Sequence, residues 1–455
     1  HVAFSVAETG FDPVAIGDEN SNRVAACIFE APLTYDYLAR PVQLRPQTAA
    51  ALPEISADFR RFTFTLRPGI FFADDPAFRG VPRELVAQDY VYSVKRYYDP
   101  ALNSENIYIF ENAGLVGLGA LRAQAQRSGG PFDYDTEVEG LRALDRYRFQ
   151  VTLAAPNPRF HFQFALPGLT GALAREVVEA YGRDIAAHPV GTGPFKLASW
   201  RRASRIVLER NPGYRERTFE AAPAADDAEA QAVAQALAGR RLPLAERIEI
   251  AVIDEAQPRW LAFLNGALDL LEVPADFAPI AVPTVGGVGT LAPHLARRGI
   301  RLQRSAQPDM VMTYFNMLDP TVGGYTVDKV ALRRAVGLAY DNAEELRLAR
   351  NGQGVLAQSV VAPYTSGYDA AYRSEMSEHS RARARALLDM HGYLDRDGDG
   401  WRERPDGQPL LLRLASRGSQ ADRRLNELWR KNLAAVGLRM QFEPATWGDL
   451  LKRSR

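Results

Sequence analysis

Cysteine is almost missing from the 455 residues: Cys27 stands alone. A single thiol excludes an intramolecular disulfide and a cysteine zinc cluster. Its ordinary role is that of a small buried hydrophobe. Net charge is missing too, because 55 basic residues balance 55 acidic ones. No field of either sign exists to gather nucleic acid or anionic lipid, so nucleic acid drops out as a partner. The longest apolar runs, such as Leu261 to Leu264, are far too short to cross a bilayer, and no signal-peptide core is visible. Of the histidines, His1, His161, His188, His294, His379 and His391, no two lie at ligand spacing on one helix, which argues against a preformed zinc or nickel site. A serine elbow, a Walker loop and a dinucleotide fingerprint are also lacking. Gly191 and Gly193 lead into Pro194, which has no N–H to offer a phosphate. The adjacent pairs Asp74-Asp75 and Asp226-Asp227 read as solvated surface charge, since neighbours in sequence seldom face one cleft. No catalytic constellation remains, and the expectation is a protein that is not an enzyme.

What is present is ordinary globular material, 46% hydrophobic and 24% charged, in a chain long enough for two or three domains. Alternation marks strands at Val2 to Val6, Phe62 to Leu66 and Phe149 to Leu153, and β character recurs at Phe195 to Leu197, Ile206 to Leu208 and Arg247 to Val252. Further strands are expected at Ile300 to Leu302, Met310 to Asn316, Leu410 to Leu414 and Leu438 to Phe442. Helical spacing over Val86 to Tyr98 places Val86, Tyr90, Val91, Val94 and Tyr97 on one face. Helices are also expected over Arg259 to Leu268, over Lys329 to Leu348 with Arg333 and Arg334 on a solvated face, and over Arg423 to Leu433. Residues Glu220 to Leu242 are rich in alanine and charge, and read as a surface insertion. Strands and helices interleave throughout, which defines an α/β or α+β class.

One acidic loop invites a metal reading. Asp395, Asp397 and Asp399, with Glu403 and Asp406, follow the oxygen spacing of an EF-hand, with Gly400 at its sixth position. Against calcium, Asp-Gly pairs are common turn chemistry, and the following Leu410 to Leu414 reads as a strand where an exiting helix is required. A bare surface turn is the favoured reading, and no cofactor is expected.

Four segments in order resemble the family 5 solute-binding proteins of ABC importers, which include oligopeptide-, dipeptide- and nickel-binding proteins. They are Phe29-Glu30-Ala31-Pro32-Leu33 with Phe62 to Gly69; Ala87 to Arg96, similar to an A-x-D-V-x-x-S-x-x-R helix; Val190 to Phe195 with Leu208 to Tyr214; and Asn316 to Ala339, where Val330 to Ala335 stands in for a d-V-R-v-R-x-A pattern.

The resemblance implies a class II periplasmic-binding fold, with two lobes around a hinge and an extra domain. Residues 1–29 and 173–306 would form domain I, 30–172 domain II and 307–455 domain III, with Pro167-Gly168 and Pro308 near the crossings. Family members continue well past the position of Trp447, so domain III is incomplete relative to the family. In peptide-binding members that further segment carries the aspartate that holds the ligand's ammonium. The implied function is capture of an oligopeptide or peptide-like ligand between the lobes, for delivery to ABC permease membrane subunits. A periplasmic or extracytoplasmic location and a monomeric state are implied with it. A non-peptide solute such as a sugar, opine or metal chelate, a sensory receptor role, and a peptide hydrolase are the alternatives.

By position, the resemblance places Asp18, Glu19 and Asn20 in a domain I loop facing ligand, and Asn106 and Tyr108 in the domain II loop. Met310, Met312 and Tyr314 would lie where the chain enters domain III, an adaptable apolar wall if they face the ligand; core packing is the stronger reading for Val311. Arg417 and Ser419 could receive a carboxylate. Gly191, Gly193 and Pro194 read as structure rather than site.

Overall fold

The computed structural model describes residues 1–285, 288–304, 309–363, 365 and 367–454. The chain divides into two compact units, His1–Leu271 and Glu272–Arg455. Pro308, at one of the expected crossings, lies outside the described residues.

The first unit is built on two four-stranded sheets. In one, Val2–Phe4 runs parallel to Arg247–Val252, with Val2 opposite Ile250, and the antiparallel pair Arg205–Arg210 and Phe195–Arg201 completes the sheet. Alternation sends Phe4, Ile206, Leu208 and Ile250 inward, where Val24, Ile28 and Phe29 of and beside the Glu19–Ile28 helix meet them. The other sheet is antiparallel throughout, in the order Glu54–Ile55, Arg61–Thr65, Arg148–Thr152, Leu141–Ala143. Its period-two pattern buries Phe62, Phe64, Phe149 and Val151 completely, and the rings of Phe64 and Phe149 stack at 4.8 Å across the ladder.

The Ala87–Tyr98 helix departs from a one-faced amphipathic helix: every residue but Gln88 is buried. Lys95 and Arg96 are buried because each has fixed acceptors. Lys95 Nζ donates to the carbonyls of Tyr134 and Thr136, and Arg96 forks onto Asp12. Residues 220–242 form no large core of their own; an Ala228–Leu237 helix is capped by Asp227, whose carboxylate accepts from the Ala230 N–H. The helix expected over 259–268 runs instead from Ala256 to Leu264, and Gly266, with φ at 76°, turns the chain out of it.

The second unit packs helices around a two-stranded parallel sheet, Leu411–Ser416 beside Arg439–Pro444. Leu332, Ala335 and Ala339 meet Leu388, Leu412, Leu433 and Leu438 in its core. The long helix expected over 329–348 is two helices, Val327–Ala339 and Asn342–Leu348. The break is chemical: the Asp341 carboxylate accepts from the Glu344 N–H at 2.9 Å and starts a new helix. Arg333 is half-buried rather than solvated, while the Arg334 side chain remains 41% exposed, as expected. Arg333 donates to the carbonyls of Val322 and Gly324, and Arg334 pairs with Glu375.

Two expected strands do not form. Residues 300–302 and 310–316 are irregular, with Val311 73% and Met312 59% exposed, so core packing of Val311 is corrected. An apolar run becomes a strand only when a neighbouring edge takes its N–H and C=O groups, and among the described residues no strand pairs with either segment. Among the described residues no helix is long and apolar enough to cross a membrane.

Candidate ligand-binding surfaces

Two buried polar clusters set the shape of the first unit's surface. Glu30 is the centre of one. Arg215 donates to both its carboxylate oxygens, at 2.5 and 2.9 Å, Gln47 donates at 2.6 Å, and the hydroxyls of Thr192 and Tyr214 complete the set. Burial pushes the Tyr214 phenol up to about 12. Three segments far apart in sequence are thereby tied together. Gly191 and Gly193 permit it, because a Cβ at either would stand 2.1 or 2.5 Å from the Ile28 carbonyl oxygen.

The second cluster lies along the Ala87–Tyr98 helix. Asp89 accepts from the Val86 N–H and pairs with Arg83; burial pushes its carboxyl up against the pull of that guanidinium. Ser93 Oγ accepts from the Leu173 N–H at 2.8 Å. Arg96 makes a bidentate pair with Asp12 at 2.6 and 2.8 Å, and the Tyr97 hydroxyl donates to the Pro13 carbonyl. These bonds hold the start of the loop that runs into Asp18.

That loop is met by a second one. Ser104 Oγ donates to the Val14 carbonyl and Asn106 Nδ2 to the Ile16 carbonyl, both at 2.6 Å, so the segments around Asp18 and Asn106 form one surface. A Cβ at Gly17 would stand 3.3 Å from Glu105 Oε2. The exposed Gly17 N–H and the Asn106 Oδ1 have no hydrogen-bond partner among the described residues. Tyr108 is 45% exposed beside them. Such a surface offers a main-chain donor, an amide acceptor and an aromatic ring, the groups that recognise extended peptide backbone.

The expected contacts differ in what they already do. Asp18 caps the Glu19–Ile28 helix, accepting from the Ser21 N–H at 2.7 Å and from the hydroxyls of Thr9 and Ser21. Glu19 pairs with Arg23 four residues on, and Asn20 Nδ2 donates to the Val6 carbonyl. Ser104 and Glu105 were not singled out by sequence. The cue was there in Asn103 to Asn106, a run of small polar side chains just after Pro100. Cys27 is half-buried, and burial raises its thiol to about 11, which keeps it protonated and unreactive.

In the second unit, Met312 and Tyr314 are well exposed and Met310 is half-buried. Ser419 caps the Gln420–Ala434 helix, accepting from the Asp422 N–H at 3.1 Å, while Arg417 lies 3.3 Å from the Asp422 carboxylate.

Asp395, Asp397, Asp399 and Glu403 do converge, with one carboxylate oxygen of each within 4.8 Å of the others. Asp406 stands apart from that group and accepts from the Gln408 N–H. The four carboxylates already cap the turn: Asp395 accepts from Gly398 and Gly400, Asp397 from the Asp399 N–H, Asp399 from Trp401, and Glu403 from Arg396. Arg439 also reaches Asp399. Those contacts are the structure of an Asp-Gly turn in their own right.

The fold is that of the periplasmic peptide-binding proteins. The Escherichia coli murein tripeptide binding protein MppA matches with a TM-score of 0.70 at 19% identity, over 99% of this chain and 75% of that one. DppA from Helicobacter pylori, solved with the peptide STSA, matches at 0.68 and 19% identity, over 100% of this chain and 75% of its own. In sequence, di/tripeptide-binding protein 2 of Pseudomonas aeruginosa is 22% identical over 100% of this chain and 73% of its own length. The family model of the bacterial extracellular solute-binding proteins, family 5 Middle, matches residues 43–455, and the chain belongs to that family. Its members are solute-binding proteins rather than enzymes.

Proposed function

We propose that this chain captures a peptide or peptide-like solute outside the cytoplasm and delivers it to the membrane subunits of an ABC importer, without chemical conversion. The reading is supported by the relatives named for di- and tripeptides. The observation that carries it is the joined surface of residues 14–20 and 104–108, which leaves a main-chain donor and an amide acceptor unspent. Gly17 and Asn106 are assigned to ligand backbone, and Tyr108, Met312 and Tyr314 to ligand side chains. Asp18 and Ser419 act on the ligand through the helices they cap, since their carboxylate and hydroxyl are engaged. Residues 1–29 with 173–306, 30–172 and 307–455 serve as the three domains of the binder, which acts as a monomer.

The test is native mass spectrometry of gently purified protein, followed by calorimetric titration with a di- to pentapeptide library. Saturable binding of intact peptides, weakened by Asn106→Ala, is expected. Binding confined to sugars or metal chelates would replace the ligand class, and appearance of cleaved peptides would restore an enzyme.

A further inference from the structure

A cavity of about 200 Å³ opens in the first unit beside the ribbon of Leu33–Tyr35 and Leu44–Pro46, and none of the residues assigned to peptide lines it. Ligand pockets for drug-sized molecules run from roughly 300 to 1,000 Å³. This one is too small for a peptide. We propose that it binds a small oxyanion of the size of phosphate, held by Arg67 and Arg217.

The lining contains three arginines in different states. Arg45 is fully committed, reaching Asp36 at 3.2 Å and both the carboxylate and the carbonyl of Glu220. It builds the wall. Arg67 is not: a guanidinium carries five N–H donors, and here only Nε finds an acceptor, the Ala49 carbonyl at 3.0 Å. No carboxylate lies within 4.0 Å of it among the described residues. Arg217 Nη1 donates to Gln47 Oε1 at 2.5 Å and lies 4.0 Å from a Glu30 oxygen that Arg215 and Gln47 also hold, and the guanidinium reaches the Tyr214 phenol, which still leaves part of its five N–H donors unspent.

Two under-used guanidiniums therefore share one small cavity, and paired forks of this kind match an oxyanion's geometry. Thr34 and Thr218 add hydroxyls that have no partner among the described residues. Tyr37, 56% exposed and stacked on Phe219 at 5.5 Å, forms part of the rim. The charged groups facing the cavity are Arg45, Arg67 and Arg217 against Asp36, Glu216 and Glu220. Asp36 and Glu220 share Arg45, one positive charge between two carboxylates. Glu216 alone among the described lining carboxylates has no ion-pair partner, so the three cations and three carboxylates balance in number, and the unspent N–H donors are those of Arg67 and Arg217.

Glu216 supplies a test whose sign misfolding cannot imitate. Calorimetry with sodium phosphate at low ionic strength is expected to give one saturable site per chain. Arg67→Gln or Arg217→Gln should weaken it roughly tenfold or more, and Glu216→Gln should tighten it. Arg127→Gln, an exposed arginine elsewhere on the unit, should leave it unchanged, and peptide affinity should be unaltered in Arg67→Gln. Absence of a saturable site overturns the proposal. So does an Arg127→Gln loss equal to that of Arg67→Gln, which would reveal diffuse attraction, or a Glu216→Gln variant that does not bind more tightly. If Arg217→Gln fails to fold, the Arg67 and Glu216 variants decide.

Discussion

In the first unit, polar residues of the motif segments are spent on holding the chain; in the second, apolar residues just before the Asn316 to Ala339 motif stand in solvent. Glu30, Asp89, Ser93 and Arg96 are all buried and each has named partners. Val311, Met312 and Tyr314 are all more than half exposed. Buried polar residues and exposed apolar ones thus answer to two different constraints. Buried polar residues tolerate little change because a lost partner strands a charge or an N–H away from water. Exposed apolar residues carry no such penalty, and their value lies in what they can touch.

The largest effect expected from this contrast is at Arg96. Arg96→Ala leaves Asp12 as an unpaired buried carboxylate and should destabilise the first unit by about 3–5 kcal/mol, read as a shift in the urea midpoint and as loss of hydrogen-exchange protection across the Ala87–Tyr98 helix. A change below about 1 kcal/mol would erase the distinction between the two units. Next, Ser93→Ala removes the acceptor of the buried Leu173 N–H and should cost about 1–3 kcal/mol, with protection lost first around Leu173.

A smaller, pH-dependent term comes from Asp36. Burial pushes its carboxyl up, but N–H donors from Leu38, Ala222 and Ala39, with Arg45, outweigh this and hold it below the usual value. A carboxyl with a lowered folded pKa contributes stability that is fully present above the unfolded value of about 3.9, and that is lost as pH falls through the folded one. The melting temperature of the native protein should therefore fall more steeply below pH 4 than that of Asp36→Asn. Equal slopes would remove Asp36 from the account. The smallest stability effect belongs to the second unit: Met312→Ser should change unfolding by less than about 0.5 kcal/mol, while weakening peptide binding. A large loss of stability there would make Met312 a core residue after all.

The same contrast explains what the sequence made legible. Strands at 61–65, 148–152 and 205–210 were readable because alternation and burial agree along them. Residues 310–316 carry comparable apolar content but no partner edge, and pairing is not written in a single segment. The helix break at Asp341 was visible as a cap residue that helical periodicity on either side concealed. At the candidate site, Asp18, Asn106 and Tyr108 were singled out by position alone, whereas the bonds of Ser104 and Asn106 to carbonyls 90 residues away were beyond any local pattern. The acidic loop is the converse case: four of its five carboxylates gather as their spacing suggested and each also accepts a backbone N–H of the turn, while Asp406 stays apart.

The parallel pairing of Val2–Phe4 with residues 250–252 bears on how the chain reaches its native state. A strand at the beginning that waits for one some 250 residues later has high contact order, and such pairings close slowly. During synthesis at about 5–20 residues per second, the opening strand spends roughly ten seconds or more without its neighbour. For that interval Val2–Phe4 has no strand to pair with, so whatever shields the unfolded chain has a defined segment to shield.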